Sequence, residues 1–377
     1  MKYKQLFFTM ICLSVTTLFN AMNNLSNLKG TEEITLVKDP WCAKYITNNS
    51  IVISGANGCA LVNTKTKEAN NIGDVYNYAR NVILVPLLQN NAERIIVSYN
   101  KIATIYNTQT GLEEGSIGGK KTIRSLAYDS NSNTIFLSYG EKEGGVITKY
   151  NFSTKDKTET SIDCQCCQSI SMHPKKQILC IADRCANIFL YKSDTLKEIK
   201  KIIVEDGNSI FDFCQYSSDG SRIVAGNSKK LFIINPDIVP LVDSCLQAKK
   251  HEYYQRIAFH PNNSTLAILS SIGSYKPSLG YVYVEQIVRY WDIKTQKFID
   301  EESALDSEYG YDLSFSPNGL EIIIVLEGKC IRMPVSFAIK EKYIYISFLL
   351  HQIAKQENLI KDIVHYCSNI LLKTFTL

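Results

Sequence analysis

No long run of lysine or arginine interrupts the 377 residues, and the net charge is only +4. So weak and dispersed a balance removes the reason to expect nucleic acid or an anionic membrane as partner, because both need a concentrated basic patch. A Gly-x-Ser-x-Gly nucleophile elbow is missing, and so is a glycine loop that would cradle phosphate. None of the five histidines (His173, His251, His260, His351, His365) has a nearby serine or cysteine in a nucleophile motif. Beyond the first twenty-odd residues no stretch approaches the ~20 apolar residues of a membrane-spanning helix.

What is present begins with an N-terminal segment unlike the rest. Lys2 and Lys4 precede the apolar run Leu6–Phe19, with small Ala21 behind it. Residues 1–21 are therefore expected to be a secretory signal peptide, an uncleaved anchor and a buried N-terminal helix being the other readings. A polar linker, 22–32, follows. Export (periplasmic, secreted or membrane-anchored) is the expected localisation and the cytoplasm the alternative; any membrane contact would run through this segment.

The remainder repeats. Val288–Thr295 reads as a strand ending in Trp291-Asp292 and running into a polar turn, with degraded copies at Tyr106-Asn107, Tyr150-Asn151, Tyr191-Lys192 and Ile234-Asn235. Two columns can be followed: Tyr45, Leu88, Tyr128, Met172, Tyr216, Phe259, Phe315, and Val62, Tyr106, Tyr150, Tyr191, Ile234, Trp291, Met333. Both advance by 40 to 44 residues except at one long step in each, 56 from Phe259 to Phe315 and 57 from Ile234 to Trp291. Within each unit a short apolar or alternating segment leads through a tight turn, such as Pro317-Asn-Gly319 or Asp219-Gly220, to a second apolar run. Such runs between turn residues are strands. Strands apolar on both faces need cover on both, which neighbouring blades of a propeller supply.

Trp291-Asp292, the turns at 218–220 and 316–319 and the period of about 44 residues resemble the WD-repeat family of β-propellers. Departures are plain: Gly-His occurs nowhere, and six of seven units lack the tryptophan. The resemblance implies an all-β, seven-bladed propeller over 33–340 acting as a cofactor-free scaffold for proteins. Strand 34–38 is expected to close the last blade, with 337–340 as rival. The tail, 341–377, changes to three-and-four apolar spacing and is expected to form an amphipathic helical segment, either capping the ring or docking into a partner.

Several side-chain groups compete for function. Cys164, Cys166, Cys167, Cys180 and Cys185 are a dense cluster, read as buried structural thiols, as disulfides in an exported protein, or as metal ligands. Spacing alone points to no metal. Acidic 300–302 and 306–308 read as a solvated loop. Both His-Pro pairs, 173–174 and 260–261, hold one repeat position and so read as structural. Two units are enlarged between second and third strands, at 140–145 and 271–285. The second insertion carries Tyr275, Lys276, Tyr281 and Tyr283, a composition suited to a binding surface. Channel-side positions (Arg124, Gln168, Asp212, Gln255, Tyr311 or their neighbours) form a mixed polar set. The expected function is thus a non-catalytic protein-interaction platform with no catalytic residue, the rival being a lactonase-like or small-ligand propeller.

Overall fold

The computed structural model describes residues 32–34, 37, 39–56, 58–72, 79–85, 94–119, 121–141, 144–204, 210–238, 242–276, 280–305 and 309–335. The expected signal segment, the helical tail at 341–377, the rival closing strand and Leu88 lie outside them. The chain divides into two units, Glu33–Ile331 and the combined Met1–Glu32 with Arg332–Leu377. Within the second, Arg332 Nη2 donates to Glu32 Oε2 at 2.6 Å.

The described residues form seven four-stranded sheets. The chain opens with β1 (Glu32–Ile34). Blade one is β2 (Pro40–Thr47), β3 (Ser50–Gly55), β4 (Gly58–Asn63) and β5 (Ala69–Ile72). Blade two is β6 (Ala79–Val85), β7 (Arg94–Tyr99), β8 (Ile102–Asn107) and β9 (Glu113–Gly118). Blade three is β10 (Ile123–Asp129), β11 (Thr134–Glu141), β12 (Gly144–Asn151) and β13 (Lys157–Ile162). Blade four is β14 (Ser169–Met172), β15 (Ile178–Ala182), β16 (Asn187–Lys192) and β17 (Glu198–Ile203). Blade five is β18 (Phe213–Tyr216), β19 (Ile223–Gly226), β20 (Lys230–Ile234) and β21 (Val242–Gln247). Blade six is β22 (Glu252–Phe259), β23 (Thr265–Lys276), β24 (Gly280–Asp292) and β25 (Lys297–Leu305). Blade seven takes β26 (Gly310–Phe315), β27 (Glu321–Leu326) and β28 (Lys329–Pro334), and its fourth strand is β1.

Each blade is an up-and-down meander whose second strand is almost wholly buried, as in β3 and β27, whereas fourth strands such as β17 stay largely exposed. The apolar runs are covered by neighbouring blades. Ile51 and Ile53 pack with Ile323 and Val325 between blades one and seven. Ile223 and Phe232 pack with Cys180 and Ile188 between five and four. Leu266 and Ile268 pack with Val224 and Leu231 between six and five. Burying a large aliphatic side chain in this way contributes about 1.5–3 kcal/mol.

A part-buried polar contact joins the ends of the ring. Asp312 of β26 accepts two bonds from Lys44 Nζ of β2, at 3.0 and 2.8 Å, and one from the Ala43 N–H at 3.3 Å. Burial pushes the Lys44 ammonium downward, but Asp312 outweighs it and raises the group above its ordinary value.

The repeat marks have a shared local cause. After β4, β8, β12 and β24 comes the same turn, in which Asn63, Asn107, Asn151 or Asp292 accepts backbone N–H bonds two and three residues on. Four residues past that side chain the backbone turns left-handed, at Lys67, Gly111, Lys155 and Gln296. Asn and Asp favour this because a short side chain can mimic a backbone turn. Asp292 of the Trp-Asp pair thus earns its place as a turn former. Trp291 is half-buried and meets Phe298 edge-on at 4.9 Å, and its Nε1 has no hydrogen-bond partner among the described residues.

The two His-Pro positions also act alike, fastening one blade to the next. His173 Nδ1 accepts from the Lys175 and Lys176 N–H groups at 3.0 and 2.9 Å, and its ring meets Tyr216 of blade five at 5.0 Å. His260 Nδ1 accepts from the Asn262 N–H at 3.1 Å while Nε2 donates to the Gly319 carbonyl of blade seven at 3.0 Å. Burial, with Lys176 and Lys175 nearby, holds His173 below the ordinary histidine value against the opposing pull of Asp237. Below the ordinary value of ~6.5 the unfolded chain therefore takes up a proton that the folded state resists. His173 contributes stability above that pH, and the contribution is lost as pH falls through its lower folded-state value. Urea midpoints measured from about pH 8 to pH 5 should fall more steeply for the wild type than for His173→Asn, whose side-chain oxygen can still accept the turn's N–H bonds. Equal slopes would remove His173 as the cause.

Candidate interaction surface

The end of the blades that carries second-to-third-strand turns also carries the blade-to-blade connections, so loops accumulate there. In blade six this end is extended. Glu252, the first residue of β22, pairs with Ile272, and the β23–β24 hairpin continues beyond it through the pairs Gly273–Tyr283, Ser274–Val282, Tyr275–Tyr281 and Lys276–Gly280. Four more pairs at about 3.3 Å per residue project roughly 13 Å past the blade. A register shift between Ile272 and Gly273 marks where the projection begins. Tyr275 and Tyr281 occupy directly opposed positions. The enlargement in blade three is the hairpin β11–β12, paired out to Glu141–Gly144.

Beside the base of the blade-six hairpin lies an opening of about 560 Å³. Asp212 precedes β18, Ser228 sits in the β19–β20 turn, Tyr253 to Arg256 come from β22, and Tyr309 precedes β26. Lys229 Nζ stands 3.4 Å from the Tyr253 ring centre and donates to the Glu252 carbonyl at 2.6 Å. Arg256 Nη1 donates to the Gln255 carbonyl at 2.7 Å. Crowding by protein raises the Asp212 carboxyl above its ordinary value, against the pull of Arg256 and Arg184. Asp212, Gln255 and Arg256 are the channel-side positions that meet here; Arg124, Gln168 and Tyr311 belong to other blades and do not line this opening.

Sequence reasoning missed the network behind the hairpin. Residues 300–302, read as a solvated loop, lie on β25 (Lys297–Leu305), where they pair with residues 288–290 of β24. Glu301 Oε2 accepts from Arg289 Nε at 2.6 Å, and Arg289 Nη1 also pairs closely with Glu252 Oε1, whose Oε2 accepts from the Lys249 N–H at 3.0 Å. Arg289 and Glu252 are 6% and 2% exposed, so this is a buried ion network bracing the blade that carries the projection. No spacing in the sequence links residues 252, 289 and 301; an arginine inside an otherwise apolar strand was the available signal.

The cysteines separate into two settings. Cys164, Cys166 and Cys167 lie in the connection from β13 to β14, before the strand has started at Ser169, so strand alternation does not govern them. Cys164 and Cys167 bring their Sγ atoms to 2.9 Å. Cys185 in the β15–β16 turn donates to Gln165 Oε1 at 3.0 Å, whereas Cys180 is buried between blades four and five. Among the described residues no group of three His, Cys, Asp or Glu side chains is placed to hold a metal ion, and no helix is long and apolar enough to cross a membrane.

These sheets define the class: a seven-bladed β-propeller. No family model and no curated protein matches the sequence. Among solved structures, the chain is similar to the β-propeller domain of Cps50 (Swd1) from Myceliophteria thermophila, with a TM-score of 0.65 at 9% identity. That likeness covers 81% of this chain and 99% of the other. At such identity it establishes the fold.

Proposed function

We propose that the chain is a non-catalytic, WD-repeat-type platform that binds a protein partner through the blade-six end, and that it works outside the cytoplasm. The observation that carries this reading is the β23–β24 projection beside the opening lined by Tyr253, Tyr254, Tyr309 and Arg256. Tyrosine and arginine give large, rigid contact area with polar handles, the residues from which binding hot spots are usually made. The ion network of Glu252, Arg289 and Glu301 braces the blade from which the projection rises, and a preformed base lowers the ordering cost of association.

Partners captured from the native host by the full chain should bind the Tyr275→Ala/Tyr281→Ala variant about 30-fold more weakly, the equivalent of ~2 kcal/mol. Undiminished affinity of an isolated partner would overturn the assignment of the hairpin. The small-ligand alternative draws on the polar lining of the same opening. Metal content together with turnover of a lactone and ester panel decides it, and the mature N-terminus read by mass spectrometry decides export.

A further inference from the structure

We propose that Cys164 and Cys167 are a dithiol–disulfide couple, with Cys166 between them left as a separate thiol. The pair is fixed by the backbone. The Cys164 N–H donates to the Ile162 carbonyl at 2.9 Å, and Cys166 is left-handed at φ 59°, so the four-residue turn folds back and sets the two sulfurs side by side. Bonds to the β15–β16 turn hold the loop from outside: the Arg184 N–H to the Gln165 carbonyl at 3.1 Å and the Gln168 N–H to the Ala182 carbonyl at 3.0 Å. Gly145 of β12 makes room, since a Cβ there would overlap both sulfurs.

The neighbouring thiols are otherwise engaged. Cys166 Sγ accepts from Gln168 Nε2 at 3.1 Å, and Cys185 Sγ donates to Gln165. The two sulfurs stand 2.9 Å apart, and closing them to the ~2.05 Å of a disulfide is a short movement within one turn. Cys167 is fully buried, and its contact with Cys164 together with burial holds its thiol well above the ordinary range. Cys164, 5% exposed against 0% for Cys167, is the more accessible residue of the pair. With a small-molecule disulfide as oxidant, the Cys164 thiolate attacks one of its sulfurs and expels a thiolate. The Cys167 sulfur then displaces the second thiolate from Cys164. Two cysteine protons pass to the two leaving thiolates, and two electrons reduce the oxidant's sulfur–sulfur bond. The loop is the blade-three-to-four connection, at the end of the blades that also bears the blade-six hairpin, so oxidation would stiffen one sector of that loop surface.

The test uses the folded, full-length wild type. It is incubated with glutathione disulfide, denatured and alkylated with a light reagent, then reduced and alkylated with a heavy one. Tandem mass spectrometry of the tryptic peptide 158–175 should place heavy label on Cys164 and Cys167 and light label on Cys166, with no heavy label when the chain is denatured before alkylation without oxidant. Cys166→Ser should keep the bond. Heavy label on Cys166, or three light labels after oxidation, would overturn the proposal.

Discussion

Arg289→Ala should lower the free energy of unfolding by about 3–5 kcal/mol, the usual consequence of removing one partner from a buried ion pair. The reason is the carboxylate left behind. Glu252 is 2% exposed; among the described residues it would keep the Lys249 N–H on one oxygen but lose the arginine that pairs with its carboxylate. Lost packing adds to this, since the guanidinium carbon lies 5.9 Å from the Phe298 ring centre. Glu301→Gln should cost less than about 1 kcal/mol, because that side chain is 46% exposed and its pairing is screened. The double variant Arg289→Met/Glu252→Gln should recover most of the loss, as it leaves no buried charge unpaired; Glu301, which also loses Arg289, is 46% exposed. Urea unfolding of the three chains checks the set. An Arg289→Ala loss below about 1 kcal/mol would mean that the network does not brace the blade.

Gly319→Ala should cost about 2–5 kcal/mol, the sum of a left-handed backbone and a forced overlap. Gly319 has φ 73°, and an added Cβ would come within 2.7 Å of His260 Cε1 and closer still to Nε2. The ring cannot retreat cheaply, for it is held by the Asn262 N–H and stands edge-on to Phe315 at 4.9 Å. Gly328 is the internal control, with nearly the same φ, 76°, and nothing within 4 Å of an added Cβ. Gly328→Ala should cost about 1 kcal/mol, from backbone strain alone. Equal losses at the two positions would show that contact with His260 contributes nothing.

Both predictions rest on features that differ in how far they could be read in advance. Pro317-Asn-Gly319 is legible as a turn, since glycine supplies a positive φ wherever a tight turn needs one. That its glycine must also be bare to admit His260 from the preceding blade is not legible, because 59 residues separate them. The enlarged unit between 271 and 285 stands out by its length, and the structure resolves its strands as a paired projection. The acidic run at 300–302 was misread because its polarity suggested a loop. Its strand character comes from ladder pairing with β24, which sets Asp300 opposite Tyr290, Glu301 opposite Arg289 and Glu302 opposite Val288.

By itself the sequence determined what local rules control: a blade period of about 44 residues, strands from apolar runs, and the Asx-type turn that Asp292 and its asparagine counterparts form. Those features depend on residues two to four apart, so a single chain displays them. Tertiary structure alone decided which charged groups find one another, Lys44 with Asp312 across 268 residues and Arg289 with Glu252 across 37. It also decided that two of three clustered cysteines touch. A buried charge or thiol takes its partner from whichever strands the ring brings alongside, and that adjacency is a property of the closed fold.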